Sequence, residues 1–229
     1  MHRWALLVLL LCASPTVAQD KKFSIKTAAT EPPKELKEPI RKLLDNKSVQ
    51  LYDPAGTMIC ELWFCKELPS DATPEQVKNG LTYRELKETS VIGAVRFDEA
   101  WNDYRKQKIK SGVYTMRLGF QPMDGDHQGK SAFTEFILLV AADKDADADT
   151  MSPKGLMELS MRSNALGHPC VLMLFPMSKA PAMAKLEETA PVAGMPKDHW
   201  VLQIARPVLA GGTKATLGFG ITVVGEAAE

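Results

Sequence analysis

The chain has 229 residues, of which 45% are hydrophobic and 24% are charged, with 28 basic and 28 acidic side chains. This length is enough for one well-packed core. The balanced charge argues against a nucleic-acid partner and against an electrostatic membrane partner, since both attract an excess of positive charge.

The N-terminal residues are typical of a secretory signal peptide. An apolar run at 4–11 follows a short polar start and precedes small residues that end at Ala18, the pattern that signal peptidase cleaves. The run is shorter than the roughly 20 residues of a membrane span. We predict an exported chain, periplasmic or extracellular, cleaved near Ala18 and without an integral membrane span when mature. A lipoprotein modified at Cys12 and an uncleaved anchor are the alternatives.

Residues 19–38 are rich in Lys, Glu and Pro, a composition that predicts a flexible leader. Residues 1–18 are then the signal peptide, and residues 39–229 form a single domain.

The predicted elements of this domain are short. Helical segments are predicted at 39–44, 73–79 and 153–163. Runs of β-branched and aromatic residues bounded by turns predict strands. These runs lie at 49–52, 58–65, 90–97, 113–120, 133–141, 169–175, 200–205 and 215–224. About eight strands without a βαβ rhythm predict a mainly β fold, an antiparallel β-sandwich or jelly roll with one or two short helices.

Two further segments are predicted to be irregular. Residues 176–198 are rich in proline and alanine and predict a long loop. Alternating aspartates at 143–149 resemble the start of a calcium loop, but Ala148 and Lys154 stand where that loop needs Gly and Glu. We therefore predict a solvated acidic loop there.

Three cysteines remain after signal cleavage: Cys60, Cys65 and Cys170. Cys60 and Cys65 are five residues apart on one predicted strand, so they point to opposite faces and should not pair. Cys170 pairing with either one, and three buried inert thiols, both stay open.

The sequence MDGDHQGKS at residues 123–131 is the most distinctive loop. It is one residue too short for a Walker A motif and leads into a strand rather than a helix. A plain turn between two strands explains it without a ligand. A divalent metal site is the alternative, with Asp124, Asp126 and His127 as ligands and His168 as a partner from outside the loop. An imidazole must be neutral to bind, so metal affinity should weaken below about pH 6.

Other motifs carry less weight. Gly218-Phe219-Gly220 lacks the spacing and the helix of a dinucleotide site. No Ser–His–Asp or Cys–His arrangement is apparent in the sequence. The aromatic side chains that could line a sugar-binding face are in strand-like segments, where they usually belong to the core: Trp63, Tyr83, Trp101 and Tyr104.

Several stretches together resemble a family of secreted bacterial proteins with no assigned function. They read GLTYREL, GAVRF, DYRKQKIKSGVYTMRLGFQPMDGDHQG, EFILLVAADKD and HPCVLMLFP, and the resemblance covers roughly residues 40–225. It implies an intact secreted domain and marks the loop 124–129 as a family feature, but it implies no activity.

The sequence therefore predicts an exported binding or structural module, with a small molecule, a carbohydrate or a protein as its ligand. The alternative is a metal-dependent enzyme that uses a divalent ion held by the loop 124–127.

Overall fold

The structure, a computed structural model, describes residues 22–122, 133–163, 167–189 and 199–226. The predicted signal peptide and the predicted ligands Asp124, Asp126 and His127 lie outside these residues. Of the described residues, 47% are in strands. In chain order the strands are β1 (Ser24–Ala28), β2 (Leu44–Tyr52), β3 (Met58–Cys65), β4 (Leu68–Ser70), β5 (Val91–Phe97), β6 (Trp101–Asn102), β7 (Lys108–Ile109), β8 (Gly112–Phe120), β9 (Glu135–Ala141), β10 (Cys170–Phe175), β11 (Lys185–Glu188), β12 (Trp200–Ala210) and β13 (Thr213–Val224).

Eleven of these strands form one large curled sheet. Its order is β1-β2-β3-β5-β8-β9-β10-β13-β12-β11, and β4 pairs with β12 at the edge. Only two residue pairs join β10 to β13. The two ends of the order approach each other, because the rings of Phe23 and Trp200 lie 5.5 Å apart. Strands β6 and β7 form a separate hairpin.

Three helices and one 3₁₀ turn complete the described fold: α1 (Glu38–Leu43), α2 (Pro74–Asn79), α3 (Pro153–Met161) and the 3₁₀ turn Tyr83–Glu85. Proline stands in the first turn of each α-helix, where its missing N–H is not needed. Helix α2 also carries a complete capping box between Thr73 and Gln76. None of the described helices is long and apolar enough to cross a membrane.

The predicted β-rich class with short helices is confirmed. All eight predicted strands are present as β2, β3, β5, β8, β9, β10, β12 and β13, and the three predicted helical segments correspond to α1, α2 and α3. The sheet encloses a large core to which strands from both halves contribute, including the fully buried Trp63, Met116 and Phe219.

Two strands lie where the sequence predicts irregular chain. Strand β1 falls inside the predicted flexible leader and pairs with β2 from Ser24–Tyr52 to Ala28–Ser48. Strand β11 falls inside the predicted loop 176–198 and pairs with β12. Both are short edge strands with mostly exposed side chains, so tertiary pairing rather than an apolar pattern determines them.

Gly218 and Gly220 have a packing role in β13. A Cβ atom at Gly218 would lie 3.0 Å from the Ala180 Cα, and one at Gly220 would lie 2.8 Å from the Phe175 carbonyl oxygen. The two glycines therefore let the segment after β10 cross β13 at close range, and no dinucleotide motif is needed to explain them.

Candidate functional site

The base of the loop between β8 and β9 is held by a group of side chains that we call the loop clamp: Arg84, Glu88, Phe120, Thr134 and Glu135. Arg84 Nε donates to Glu135 Oε1 at 2.6 Å, and its Nη2 donates to Thr134 Oγ1 at 2.9 Å. The guanidinium also lies 4.3 Å from the centre of the Phe120 ring. Glu88 Oε1 accepts from the Phe120 N–H at 3.1 Å.

The backbone closes the same loop base, since the Gln121 N–H donates to the Thr134 carbonyl at 2.7 Å. The Phe133 ring packs edge-on against Phe175, with centroids 5.1 Å apart. The residues on both sides of the loop are thus fixed by several independent contacts.

The position of Arg84 follows from the residues beside it. Thr82 and Glu85 form a capping box that fixes the 3₁₀ turn. Tyr83 is buried, and its hydroxyl donates to the Phe175 carbonyl at 2.7 Å and accepts from the Gly220 N–H at 3.0 Å. Burial raises the pKa of this phenol, so it stays a donor. Because Tyr83 ties the turn to β10 and β13, the neighbouring Arg84 is placed against β9.

His168 lies away from the loop clamp. It is exposed and stands two residues before Cys170, which pairs with Leu139 near the end of β9. Thr134, by contrast, precedes the start of β9. The seven residues of β9 separate the two places by roughly 20 Å. The described geometry therefore does not bring His168 to the base of the loop that holds Asp124, Asp126 and His127.

No group of three or more His, Cys, Asp or Glu side chains within the described ranges is placed to hold a metal ion. The metal hypothesis thus depends on loop residues that the structure does not describe.

The acidic loop 143–149 is only partly solvated, and for Asp145 the prediction of a solvated loop was wrong. Asp145 is 1% exposed and Arg117, in β8, is 0% exposed. Arg117 Nε donates to Asp145 Oδ2 at 2.7 Å and Nη2 donates to Oδ1 at 2.9 Å. The remaining Arg117 donors reach the carbonyls of Thr89, Asp149 and Asp147. All five guanidinium N–H groups thus have acceptors.

A second buried carboxylate anchors the hairpin β6–β7. Asp103 Oδ1 accepts from the N–H groups of Arg105 and Gln107 at 2.9 and 2.8 Å, and Oδ2 accepts from the Val171 N–H at 3.0 Å. Gln107 Nε2 donates to Asp103 Oδ2 at 3.0 Å and to the Pro169 carbonyl at 2.9 Å. Burial raises the pKa of Asp103, against the opposing effect of these hydrogen bonds. The hairpin is thereby fixed to the start of β10.

The third buried carboxylate is Glu61 in β3, which is 2% exposed. Its Oε1 accepts from the Thr30 and Ser48 hydroxyls, each at 2.7 Å, and from Gln50 Nε2 at 3.0 Å. Arg96 Nη2 donates to Oε2 at 2.7 Å. Burial raises the pKa of Glu61, but the hydrogen bonds and the Arg96 charge outweigh it and leave the pKa below its usual value.

A surface depression of about 500 Å³ adjoins this cluster. Its lining consists of Arg96 and residues of the segment before α1: Glu31, Pro32, Pro33, Lys34 and Glu35. Charges of both signs line it, and the Glu61 oxygens already have protein donors. We assign the cluster a structural role, which is to hold the segment 30–36 on the sheet.

The lowered pKa of Glu61 makes a testable prediction. A folded-state pKa below the unfolded one means that the group contributes stability above the unfolded pKa, which is lost as pH falls through the folded pKa. We expect Glu61→Gln to unfold at lower urea concentration than wild type at about pH 7 and to lose less stability than wild type on going to about pH 3. Urea unfolding at both pH values measures this. The exposed control Glu67→Gln should follow wild type, and equal pH dependence of Glu61→Gln and wild type would contradict the prediction.

The remaining sequence candidates belong to the core. Trp63, Tyr83 and Tyr104 are buried and Trp101 is half-buried, so they do not form an exposed sugar-binding face. Cys60, Cys65 and Cys170 are buried and no disulfide joins them, in agreement with the alternative of three buried thiols. Burial raises the pKa of Cys60, and it raises that of Cys65 to about 12, which makes both thiols poor nucleophiles.

The sequence indicated the loop 123–131 but missed the loop clamp. The Thr82–Glu85 capping box was a readable signal for the turn, but the partners of Arg84 lie 50 and 51 residues later in the chain.

No family model matches the chain, and comparisons with curated proteins and with solved structures found no match either. The resemblance to secreted bacterial proteins therefore stays a prediction.

Proposed function

We propose that this chain is an exported bacterial module that binds a small molecule, a carbohydrate or a protein through the loop 123–131. The observation that carries the proposal is the loop clamp. Binding sites in β-rich proteins are commonly loops presented by a rigid scaffold. The clamp supplies such a scaffold, because an ion pair, a cation–π contact and backbone hydrogen bonds all fix the residues from which the loop extends.

The sequence of the loop supports a second candidate function, a metal-dependent enzyme. Asp124, Asp126 and His127 offer two carboxylates and one imidazole within four residues, donors that suit a divalent ion. Gly125 and Gly129 give the backbone the freedom to bring such donors together. This three-ligand metal site does not include His168, because His168 lies far from the base of the loop.

Metal titration separates the two candidates. A loop metal site predicts that wild type binds zinc, manganese, copper or calcium stoichiometrically in calorimetry and elemental analysis. His127→Ala should then bind at least about tenfold more weakly, the usual effect of losing a ligand or its support. A metal-dependent enzyme further predicts turnover on a hydrolase substrate panel that a chelator abolishes. If no metal binds, or if His127→Ala binds as tightly as wild type, the metal candidate is rejected.

The binding-module proposal has its own test. We expect the triple variant Asp124→Ser/Asp126→Ser/His127→Ser to lose binding on a glycan and small-molecule array where wild type binds, with an unchanged melting temperature. Arg84→Ala should weaken the same binding by a smaller factor, because it loosens the loop base without altering the loop. Lys214→Ser, at an exposed position near the start of β13, is the control and should bind like wild type. Equal binding by the triple variant would show that the loop is only a turn.

A further inference from the structure

The dipeptide Asn79-Gly80 forms the C-terminal end of α2. It is the one place in the chain where an asparagine is followed by glycine, since the other asparagines, Asn46, Asn102 and Asn164, precede residues with side chains. Asn79 and Gly80 are both exposed. Gly80 has a φ of 99°, and a Cβ atom placed on it would have no neighbour within 4 Å. The peptide bond between the two residues is therefore open to solvent.

Little holds Asn79 in its helical conformation. Helix α2 has six residues, whereas an isolated helix shorter than roughly 12–15 residues is marginal in water. None of its residues is buried, and its capping box between Thr73 and Gln76 lies at the opposite end. At the Asn79 end the Gly80 N–H reaches the Val77 carbonyl at 3.4 Å, a distance beyond the usual range of an N–H···O bond. The last turn can therefore fray without unfolding the rest of the protein.

An exposed asparagine followed by glycine has a reaction open to it that needs only water. The Gly80 backbone nitrogen attacks the Asn79 side-chain carbon Cγ. The new N–Cγ bond closes a cyclic imide, and the side-chain nitrogen leaves as ammonia with the proton that Gly80 gives up. Water then opens the imide at either carbonyl. Cleavage of the N–Cγ bond gives aspartate, and cleavage of the bond to the main-chain carbonyl carbon gives isoaspartate. No oxidant or reductant takes part.

We propose that Asn79 is a site of spontaneous deamidation and isoaspartate formation. The structure separates it from the other asparagines of the described ranges. Asn102 is exposed, but the nitrogen that would attack it belongs to the buried Asp103, and that N–H donates to the Gln107 carbonyl at 2.9 Å. Asn46 lies within β2, and the side chain of the following lysine crowds the attacking nitrogen. Only at Asn79 is this nitrogen both uncrowded and weakly hydrogen-bonded.

The modification should act on the connection between α2 and the 3₁₀ turn. Either product adds a carboxylate at the C-terminal end of α2, where the helix dipole disfavours negative charge. Isoaspartate also adds one methylene to the main chain ahead of Leu81. Tyr83 is buried and hydrogen-bonded to both β10 and β13, so the added length should be taken up at Gly80. The loop clamp is then left in place, and the site is independent of the proposed binding loop.

Peptide mapping of the full-length protein after incubation at mildly alkaline pH tests the proposal. Cleavage after glutamate releases residues 76–85, which contain Asn79. We expect this peptide to gain the mass of a carboxyl in place of an amide and to separate into aspartate and isoaspartate forms. The change should be at least about tenfold faster than in the peptide that contains Asn102, because the Asp103 nitrogen must first give up its hydrogen bond. The rate should rise with pH, since the attacking nitrogen loses its proton. Digestion in heavy-oxygen water marks any deamidation that occurs during the digestion itself.

Asn79→Gln and its matched control Asn102→Gln locate the reaction. Glutamine closes a larger ring and reacts far more slowly, so Asn79→Gln should remove the acidic form from ion-exchange profiles, whereas Asn102→Gln should form it at the wild-type rate. Equal rates at Asn79 and Asn102, or an acidic form that persists in Asn79→Gln, would overturn the proposal. So would an unchanged Asn79 in the folded protein under conditions where the urea-unfolded chain is modified, because α2 would then protect it.

Discussion

Replacement of Arg117 by methionine is expected to lower the free energy of unfolding by about 3–5 kcal/mol, the range for removing one partner of a buried ion pair. Arg117 and Asp145 are both almost fully buried. Without the guanidinium, the Asp145 carboxylate keeps the hydrogen bond from the Thr115 hydroxyl, but three backbone carbonyls lose the Arg117 N–H groups that donate to them. Urea unfolding at neutral pH, followed by tryptophan fluorescence, measures the loss.

The double variant Arg117→Met/Asp145→Leu is the control for this prediction. It removes both charges, so no buried charge is left without a partner, and replacing a whole buried pair by apolar residues is often nearly neutral. We expect it to recover part of the stability lost in Arg117→Met. The exposed pair between Arg84 and Glu135 gives a second comparison, since Arg84→Ala should cost about 1 kcal/mol or less. A loss below about 1 kcal/mol in Arg117→Met would show that the pair does not hold the fold.

The same network explains why the acidic loop needs no calcium to take its shape. Asp145 supplies its carboxylate and Asp147 and Asp149 supply carbonyls, all directed at one central cation. That cation is the Arg117 guanidinium, which belongs to the chain itself. Thr89 completes the arrangement with its carbonyl, and its backbone has a positive φ of 70°. This conformation is rare for a β-branched residue, and its location beside Arg117 indicates that the network enforces it.

The sequence predicted the elements whose signal is local. The strands β3, β8 and β9 carry continuous apolar and β-branched runs, and α2 carries its proline and capping box, so pattern alone was sufficient for them. Strand β1 has no such pattern. It is defined by hydrogen bonds to β2, and no local rule reveals partners that lie 20 to 28 residues away.

The buried charges show more clearly that a sequence pattern does not reveal contacts between residues distant in the chain. Alternating aspartates at 143–149 look solvated in the sequence, and nothing in their spacing shows that Arg117 reaches Asp145 from 28 residues earlier. His168 was predicted as a partner of the loop because its residue type suits a metal. The register of β9 and β10 places it at the other end of the strands, and register is a tertiary property. Residue types therefore indicate which chemistry a site could have, but only the topology shows whether those side chains lie close together.

Asp103→Ala is expected to lower the free energy of unfolding by about 2–4 kcal/mol. The variant leaves three backbone N–H groups and one Gln107 N–H without their acceptor, and each unsatisfied buried donor costs about 1–3 kcal/mol. The full sum is not expected, because Gln107 Nε2 also reaches the Pro169 carbonyl. The raised pKa of Asp103 further shows that desolvation offsets part of the hydrogen bonding in the wild type.

Hydrogen exchange locates the part of the structure that Asp103→Ala destabilises. The amides of Arg105, Gln107 and Val171 should exchange faster than in wild type, whereas amides in the β12–β13 hairpin should be protected as before. Asp103→Asn is the matched control. Its remaining oxygen can still accept from Arg105 and Gln107, but its amide group faces the Val171 N–H, so an intermediate loss confined to Val171 is expected. Unchanged exchange at all three amides in Asp103→Ala would refute the anchoring role of this carboxylate.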